Sequence, residues 1–175
     1  QGEDSVDGTP TNNAASNAGA AYIFVRNAGT WSQQAYIKPS TIAGALPGFT
    51  YGDVFGRTLA LDGDTLVVGS AIEFNGGEDS AATGVNGNQS DNSALESGAA
   101  WVFARTGTTW SQQAYLKASN TGAGDHFGFA VAVSAERIVV GAYREDSLIG
   151  NPGDNSATDA GAAYVFVRSG TTWAQ

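Results

Sequence analysis

Asp79, Asp91, Asp146 and Asp154 stand in two loops built to one frame. In the first, "EDS" at 78–80 is followed by "DNSA" at 91–94 and a Gly-Ala-Ala segment at 98–100; in the second the same pieces fall at 145–147, 154–157 and 161–163. A looser copy, "EDS" then "NNA" then Gly-Ala-Ala, occupies 3–21. Carboxylate, amide and backbone carbonyl oxygens gathered in a turn-rich loop are hard ligands, and calcium is the ion they suit. One expectation is therefore a low-affinity calcium site in each loop, built by Asp79 with Asp91 and by Asp146 with Asp154. The spacing matches no EF-hand loop. The same residue types also make Asx turns and loop-internal hydrogen bonds that order a long connection, and the sequence is compatible with both readings.

Catalytic chemistry finds less. His126, the only histidine, lies in "GDHFG", and the equivalent "GDVFG" at 52–56 has Val54 in its place, which argues against general-base duty. Arg26, Arg105 and Arg168 occupy one position of a repeated segment, so they read as structural residues that lie along a recurring tryptophan or cap a strand end. Trp31, Trp110 and Trp173 recur likewise and read as packing residues, as does Trp101, which stands where Tyr22 and Tyr164 stand. Asn88-Gln89-Ser90 is an N-glycosylation sequon. Absence of cysteine removes disulfides, thiolate metal sites and cysteine nucleophiles together. A catalytic centre is expected to break a repeat; no residue set here does so, and no catalytic residue is assigned.

The elements that hold these loops follow from the repetition. "AGAAYIFVRNAGTWSQQAYIKPS" at 18–40 returns as "SGAAWVFARTGTTWSQQAYLKAS" at 97–119 and as "AGAAYVFVRSGTTWAQ" at 160–175. Equivalent alanines at 20, 99 and 162 are spaced by 79 and 63 residues, and the difference of 16 lies in the connections. Each unit predicts four strands, as in "FGFAVAVS", "RIVVGAY", "GAAYVFVR" and "TTWAQ" from Phe127 onward, rich in β-branched and aromatic residues and of ordinary strand length. In "AAWVFAR" Trp101 and Phe103 face one way while Ala100, Val102 and Ala104 face the other, so both faces are apolar and need cover. "FGFAVAVS" alternates large and small residues, as suits a crowded position near an axis. Four-stranded antiparallel units with two apolar faces, repeating about every 60 residues, predict an all-β fold of radially packed β-propeller blades.

Phe127-Gly128 opening one strand and "VVGAY" at 139–143 closing the next, repeated in "VFGRTLALDGDTLVVGSA" at 54–71, resemble the FG-GAP repeat of integrin α-chain propellers and their bacterial and algal relatives. The resemblance runs over nearly the whole chain. It implies a seven-bladed propeller, commonly extracellular, used for adhesion or as a rigid spacer. That family's calcium loop, D-x-D-x-D-G-x-x-D between the first two strands, is not matched: "LDGDTLVV" at 61–68 and "VSAERIVV" at 133–140 are too short and read as tight hairpin turns. Propeller sialidases carry an Asp-box, S-x-D-x-G-x-T-W; "FARTGTTW" at 103–110 keeps its Gly, Thr and Trp but has Phe103 and Arg105 in the Ser and Asp places.

On the propeller reading, residues 1–40 end one blade, 41–118 form a full blade and 119–175 most of a further one. That is about two and a half of the four to eight blades that close a propeller. The expectation is a fragment of a longer chain, about 441 residues for seven such units, with self-assembly of several chains as the alternative. A hydrophobic content of 42% suffices to bury a core. Net charge of −9 repels phosphate backbones and excludes nucleic acid as a partner, and no apolar run is long enough to span a bilayer. "QGEDSVDGTP" lacks the basic and apolar parts of a signal peptide, so processing has removed one or the chain begins mid-protein. Twelve of the 17 acidic residues fall in the connections between second and third strands, which predicts an acidic, solvated face. The function expected is a non-enzymatic extracellular or surface module, a rigid adhesive or structural scaffold that meets protein or glycan surfaces or further copies of itself. The alternatives are a carbohydrate-binding propeller, and part of a propeller glycosidase or lyase whose catalytic residues lie elsewhere.

Overall fold

A computed structural model describes residues 17–41, 52–71, 77–148, 151 and 153–175. The loosest copy of the acidic loop, with Glu3, Asp4 and Asp7, lies outside the described residues, as does Glu73. Ten strands follow in chain order: β1 (Ala21–Asn27), β2 (Thr30–Ile37), β3 (Thr58–Asp62), β4 (Thr65–Ser70), β5 (Ala99–Thr106), β6 (Thr109–Leu116), β7 (Phe127–Ser134), β8 (Arg137–Ala142), β9 (Ala162–Ser169) and β10 (Thr172–Ala174). They form a two-stranded sheet β1-β2, a four-stranded sheet β3-β4-β5-β6 and a four-stranded sheet β7-β8-β9-β10, each pair antiparallel. Among the described residues there is no helix. The four pieces read from the sequence onward from Phe127 are β7 to β10, and the three sheets are three successive blades.

Turn chemistry sets each hairpin. Asp62 pairs with Thr65 across Gly63-Asp64, and Ser134 pairs with Arg137 across Ala135-Glu136. Both are the tight two-residue turns expected, and Gly63 and Ala135 each take the left-handed backbone, at φ 56° and 50°, that such turns demand of their first residue. A register shift falls at the same place in two blades, between Ile23 and Phe24 and between Val102 and Phe103. Strand geometry thus repeats down to its irregularities.

Because side chains alternate along a strand, each blade presents two apolar faces. In the first joint, Ala21, Ile23, Ala35 and Ile37 of β1 and β2 meet Leu66, Val68, Trp101, Phe103, Trp110 and Tyr115 of the second blade, with Phe55 among them. In the second joint the opposite face of that blade, Val67, Ala100, Val102, Ala114 and Leu116, meets Phe127, Ile138, Val140, Ala142, Tyr164, Phe166 and Trp173. All of β4 is buried as a result. The second blade is covered on both sides, as its doubly apolar strands require.

Blades meet closely on the side of their first strands. Backbone bridges run parallel from Gly19 to Phe55 and from Gly98 to Phe127. A Cβ added at Gly69 would lie 2.2 Å from Gly128 O, and one added at Gly128 would lie 2.1 Å from Ala99 O. Glycine is required there by contact as well as by the φ of 92° at Gly128.

Candidate functional site at the blade joints

The four aspartates of the calcium expectation sit at equivalent places and bond backbone amides. Asp79 Oδ1 accepts from Glu96 N at 2.7 Å, and Asp146 Oδ1 accepts from Asp159 N at 2.8 Å. Asp91 accepts from Ala81 N at 2.9 Å, Ser93 N at 3.2 Å and Ser93 Oγ at 3.1 Å; Asp154 Oδ1 accepts from Ser156 N at 3.0 Å. Each loop is thus closed by one long-range cap and one Asx turn. The Ser93 hydroxyl holds the Asp91 carboxyl below the usual carboxylate range, while burial raises that of Asp79. Among the described residues no three Asp, Glu, His or Cys side chains come together as a metal-holding group.

The acidic face departs from expectation at Glu78, Asp79 and Glu145, which are 2%, 7% and 1% exposed. Sequence composition places them in a solvated loop; the fold turns them inward against residues from other parts of the repeat. Glu78 Oε1 accepts from Tyr115 OH at 2.9 Å. Lys117, fully buried, donates from Nζ to Ser97 Oγ at 2.7 Å and to Gly98 O. Lys38 repeats the arrangement one blade earlier, donating to Gly19 O. Asp53 and Asp125, which precede the two Phe-Gly pairs, are buried as well, and the Asp53 carbonyl accepts from Ser70 Oγ.

Desolvation governs the electrostatics of this cluster. Burial pushes the Glu78 carboxyl up to about 7, against the pull of Lys117 and the Tyr115 hydroxyl. Burial also draws the Lys117 ammonium down to about 8, opposed by Glu78, Asp125, Asp79 and Asp91. Asp125 is raised to about 7 by burial and by its neighbour Glu145. Tyr115 and Tyr164 are held protonated, first by burial and then by the carboxylates they serve. Strand reading misses this cluster. Its signal was a lysine at one position of "AYIKPS" and "AYLKAS", an aspartate before each Phe-Gly and a glutamate in each "EDS", charges of both signs at fixed places in otherwise apolar segments.

A second set of joints lies toward the outer strands. Trp110 Nε1 donates to Gln34 Oε1 across the first joint at 3.0 Å, and Trp173 Nε1 donates to Gln113 Oε1 across the second at 2.7 Å. Ser40 N donates to Gln112 Oε1 and Ser119 N to Gln175 Oε1, at 3.0 and 3.1 Å. The arginines lie along the tryptophans as the sequence suggests: Arg105 is 5.6 Å from the Trp110 ring centroid and Arg168 is 5.1 Å from that of Trp173. Each arginine also bonds a hairpin-turn carboxylate, Arg105 Nε to Asp64 at 2.8 Å and Arg168 Nη2 to Glu136 at 2.9 Å. Trp110 and Trp173 are buried, but Trp31, on the uncovered face of β1-β2, is 65% exposed.

His126 packs rather than opening to solvent. It is buried, with Nε2 3.5 Å from Glu96 Oε2 and its ring edge-on to Tyr143 at 5.3 Å. In the first joint Val54 stands in its place, and an open cavity of about 380 Å³ is lined by Asn17, Gly19, Ala20, Val54, Phe55, Gly56 and Arg57. That lining holds no carboxylate, imidazole or thiol. Residues 110–166, from β6 through most of β9 and so across the second joint, match the family model described as the FG-GAP repeat. No curated protein matches the chain.

Proposed function

The chain carries an FG-GAP repeat at residues 110–166, and on that premise we propose that it is a β-propeller segment, of seven blades when closed, acting outside the cell as a rigid, non-enzymatic scaffold for protein or surface contacts. One observation carries this reading: the polar side chains that recur from blade to blade are engaged in the joints and loop caps. Tryptophan, glutamine, arginine, lysine and the buried acids bond neighbouring strands, turns and loops. Residues that fix blade against blade stiffen a stack of otherwise separate sheets, as a rigid scaffold requires.

The test sets binding against turnover. The chain is offered immobilised protein and glycan surfaces in a biosensor and, in parallel, soluble polysaccharides with detection of released reducing ends. Binding without turnover is the expected result. Release of product that disappears in a variant of the cavity lining, such as Arg57→Ala, overturns the non-enzymatic reading. Glycan binding that needs the 77–98 loop would instead make this a carbohydrate-binding propeller.

A further inference from the structure

Two departures from the repeat meet at the first joint. Trp101 stands on β5 where β1 and β9 carry Tyr22 and Tyr164, and the connection from β4 to β5, residues 71–98, is nine residues longer than its counterpart at 143–161. Gln89 lies in the lengthened part, between Asp79 and Asp91. Its Oε1 accepts from Trp101 Nε1 at 2.9 Å. Tyr164, at the equivalent place in the third blade, bonds Asn120 and Glu145 through its hydroxyl instead.

Gln89 reaches the first blade as well. The same oxygen accepts from Ser40 Oγ and from Gln112 Nε2, both at 3.2 Å, and the Gln89 backbone carbonyl accepts from Thr41 Oγ1 at 3.5 Å. In the second joint the equivalent pair closes on itself, Gln175 Nε2 donating to Ser119 Oγ at 2.9 Å. In the first, both members turn to Gln89. An indole N–H can only donate, so it is the carbonyl oxygen of Gln89 that faces Trp101, filled by donors from β5, β6 and the connection after β2.

The loop that carries Gln89 is shaped independently of the first blade. Asp91 accepts from Ala81 N at 2.9 Å and Ser80 Oγ donates to Asn88 O at 2.8 Å, which closes its base. Gly84 N donates to Ala118 O at 3.2 Å, and Lys117 N to Gly84 O and Asn86 N to Tyr115 O, each at 2.8 Å. Residues 84–86 thus lie antiparallel along the outer edge of β6, and Ala82 packs against the apolar core of the first joint. We propose that residues 80–91 are a clasp on that joint. Seated, Gln89 ties the connection after β2 to β5 and β6. Lifted, it leaves the buried Trp101 N–H without an acceptor and lets the first blade part from the second, while the second joint, fastened without it, stays shut. An unpaired buried donor is costly, so opening of the first joint is coupled to a lifted state that is rare.

Native-state hydrogen exchange tests the clasp, at one low protein concentration, in the wild type, Gln89→Ala and Gln89→Glu. Gln89→Ala is expected to speed exchange of β1 and β2 by at least about fivefold and to leave β8 and β9 unchanged. Gln89→Glu keeps oxygen for the three donors and should hold β1 and β2 within about twofold of the wild type. Exchange unchanged in Gln89→Ala, or raised alike in both pairs of strands, overturns the clasp, as does a Gln89→Glu chain as loose as Gln89→Ala. Should Gln89→Ala not fold, Ser40→Ala carries the test, since Ser40 is exposed and lies outside the loop. Faster exchange confined to β1 and β2 is then expected; no change, or a rise in all four strands, overturns the proposal.

Discussion

At the scale of single residues, two positions test how local chemistry serves this fold. Asp79 caps the Glu96 amide from a largely buried position. Asp79→Ala leaves that N–H without its acceptor, and the expected cost is about 1–3 kcal/mol in urea unfolding. The two readings of the acidic loops separate here. A cap loses the same energy in calcium and in chelator, whereas a bound ion makes the loss larger in calcium. The hydrogen bonds described favour equal losses. Val54 offers the opposite case, a β-branched residue held at φ 48°, where L side chains other than asparagine and glycine are strained by about 1–2 kcal/mol. Val54→Asn is expected to stabilise the chain by about 1 kcal/mol, read as a higher urea midpoint with an unchanged slope; a lower midpoint would mean that valine's packing outweighs its strain.

At the scale of elements, the joint between blades is set by side-chain bonds at repeated places. Gln34→Leu leaves the buried Trp110 indole N–H unpaired, at an expected cost of about 1–3 kcal/mol. A double-mutant cycle with Trp110→Phe, which removes the donor, should recover at least about 1 kcal/mol of coupling; additive losses would reduce the tryptophan to packing alone. The strands themselves were legible in the sequence. Trp101 and Phe103 alternating with Ala100 and Val102 demand a strand covered on both sides, and Gly63 and Ala135 sit where tight hairpins turn. The structural roles of the arginines and tryptophans followed from their recurrence. Their glutamine partners did not, because period-two patterning fixes which face a residue lies on and leaves the stagger between blades open. The joint cluster was less legible still. Glu78 and Glu145 lie in segments rich in Asp, Asn, Ser and Gly that read as solvated loop, and their burial depends on Tyr115, Tyr164 and Lys117, which strand periodicity treats as core or as surface one at a time.

At the scale of the molecule, cover decides stability. Both faces of the second blade are buried, while each neighbouring sheet has one face covered and one open. Tyr22, Phe24 and Trp31 are exposed on β1-β2 at the positions that Trp101, Phe103 and Trp110 fill in the second blade, and Val139, Val165 and Val167 are exposed on the third. The two open faces are therefore equivalents of the two sides of a joint already formed inside the chain. Apolar surface of that kind drives association in proportion to the area removed from water. For the 175-residue chain in isolation the expected outcome is a concentration-dependent sedimentation coefficient, lowered to that of a monomer by Trp31→Lys or by Val165→Lys. Each variant breaks the contact from one side, so a head-to-tail stack requires that either suffices alone. A contact between like faces predicts instead that only one of the two substitutions matters. Native-state hydrogen exchange gives the matching energetic result: protection strongest in β4 and β5, weaker in β1 and β9, and rising in the outer strands as concentration covers them.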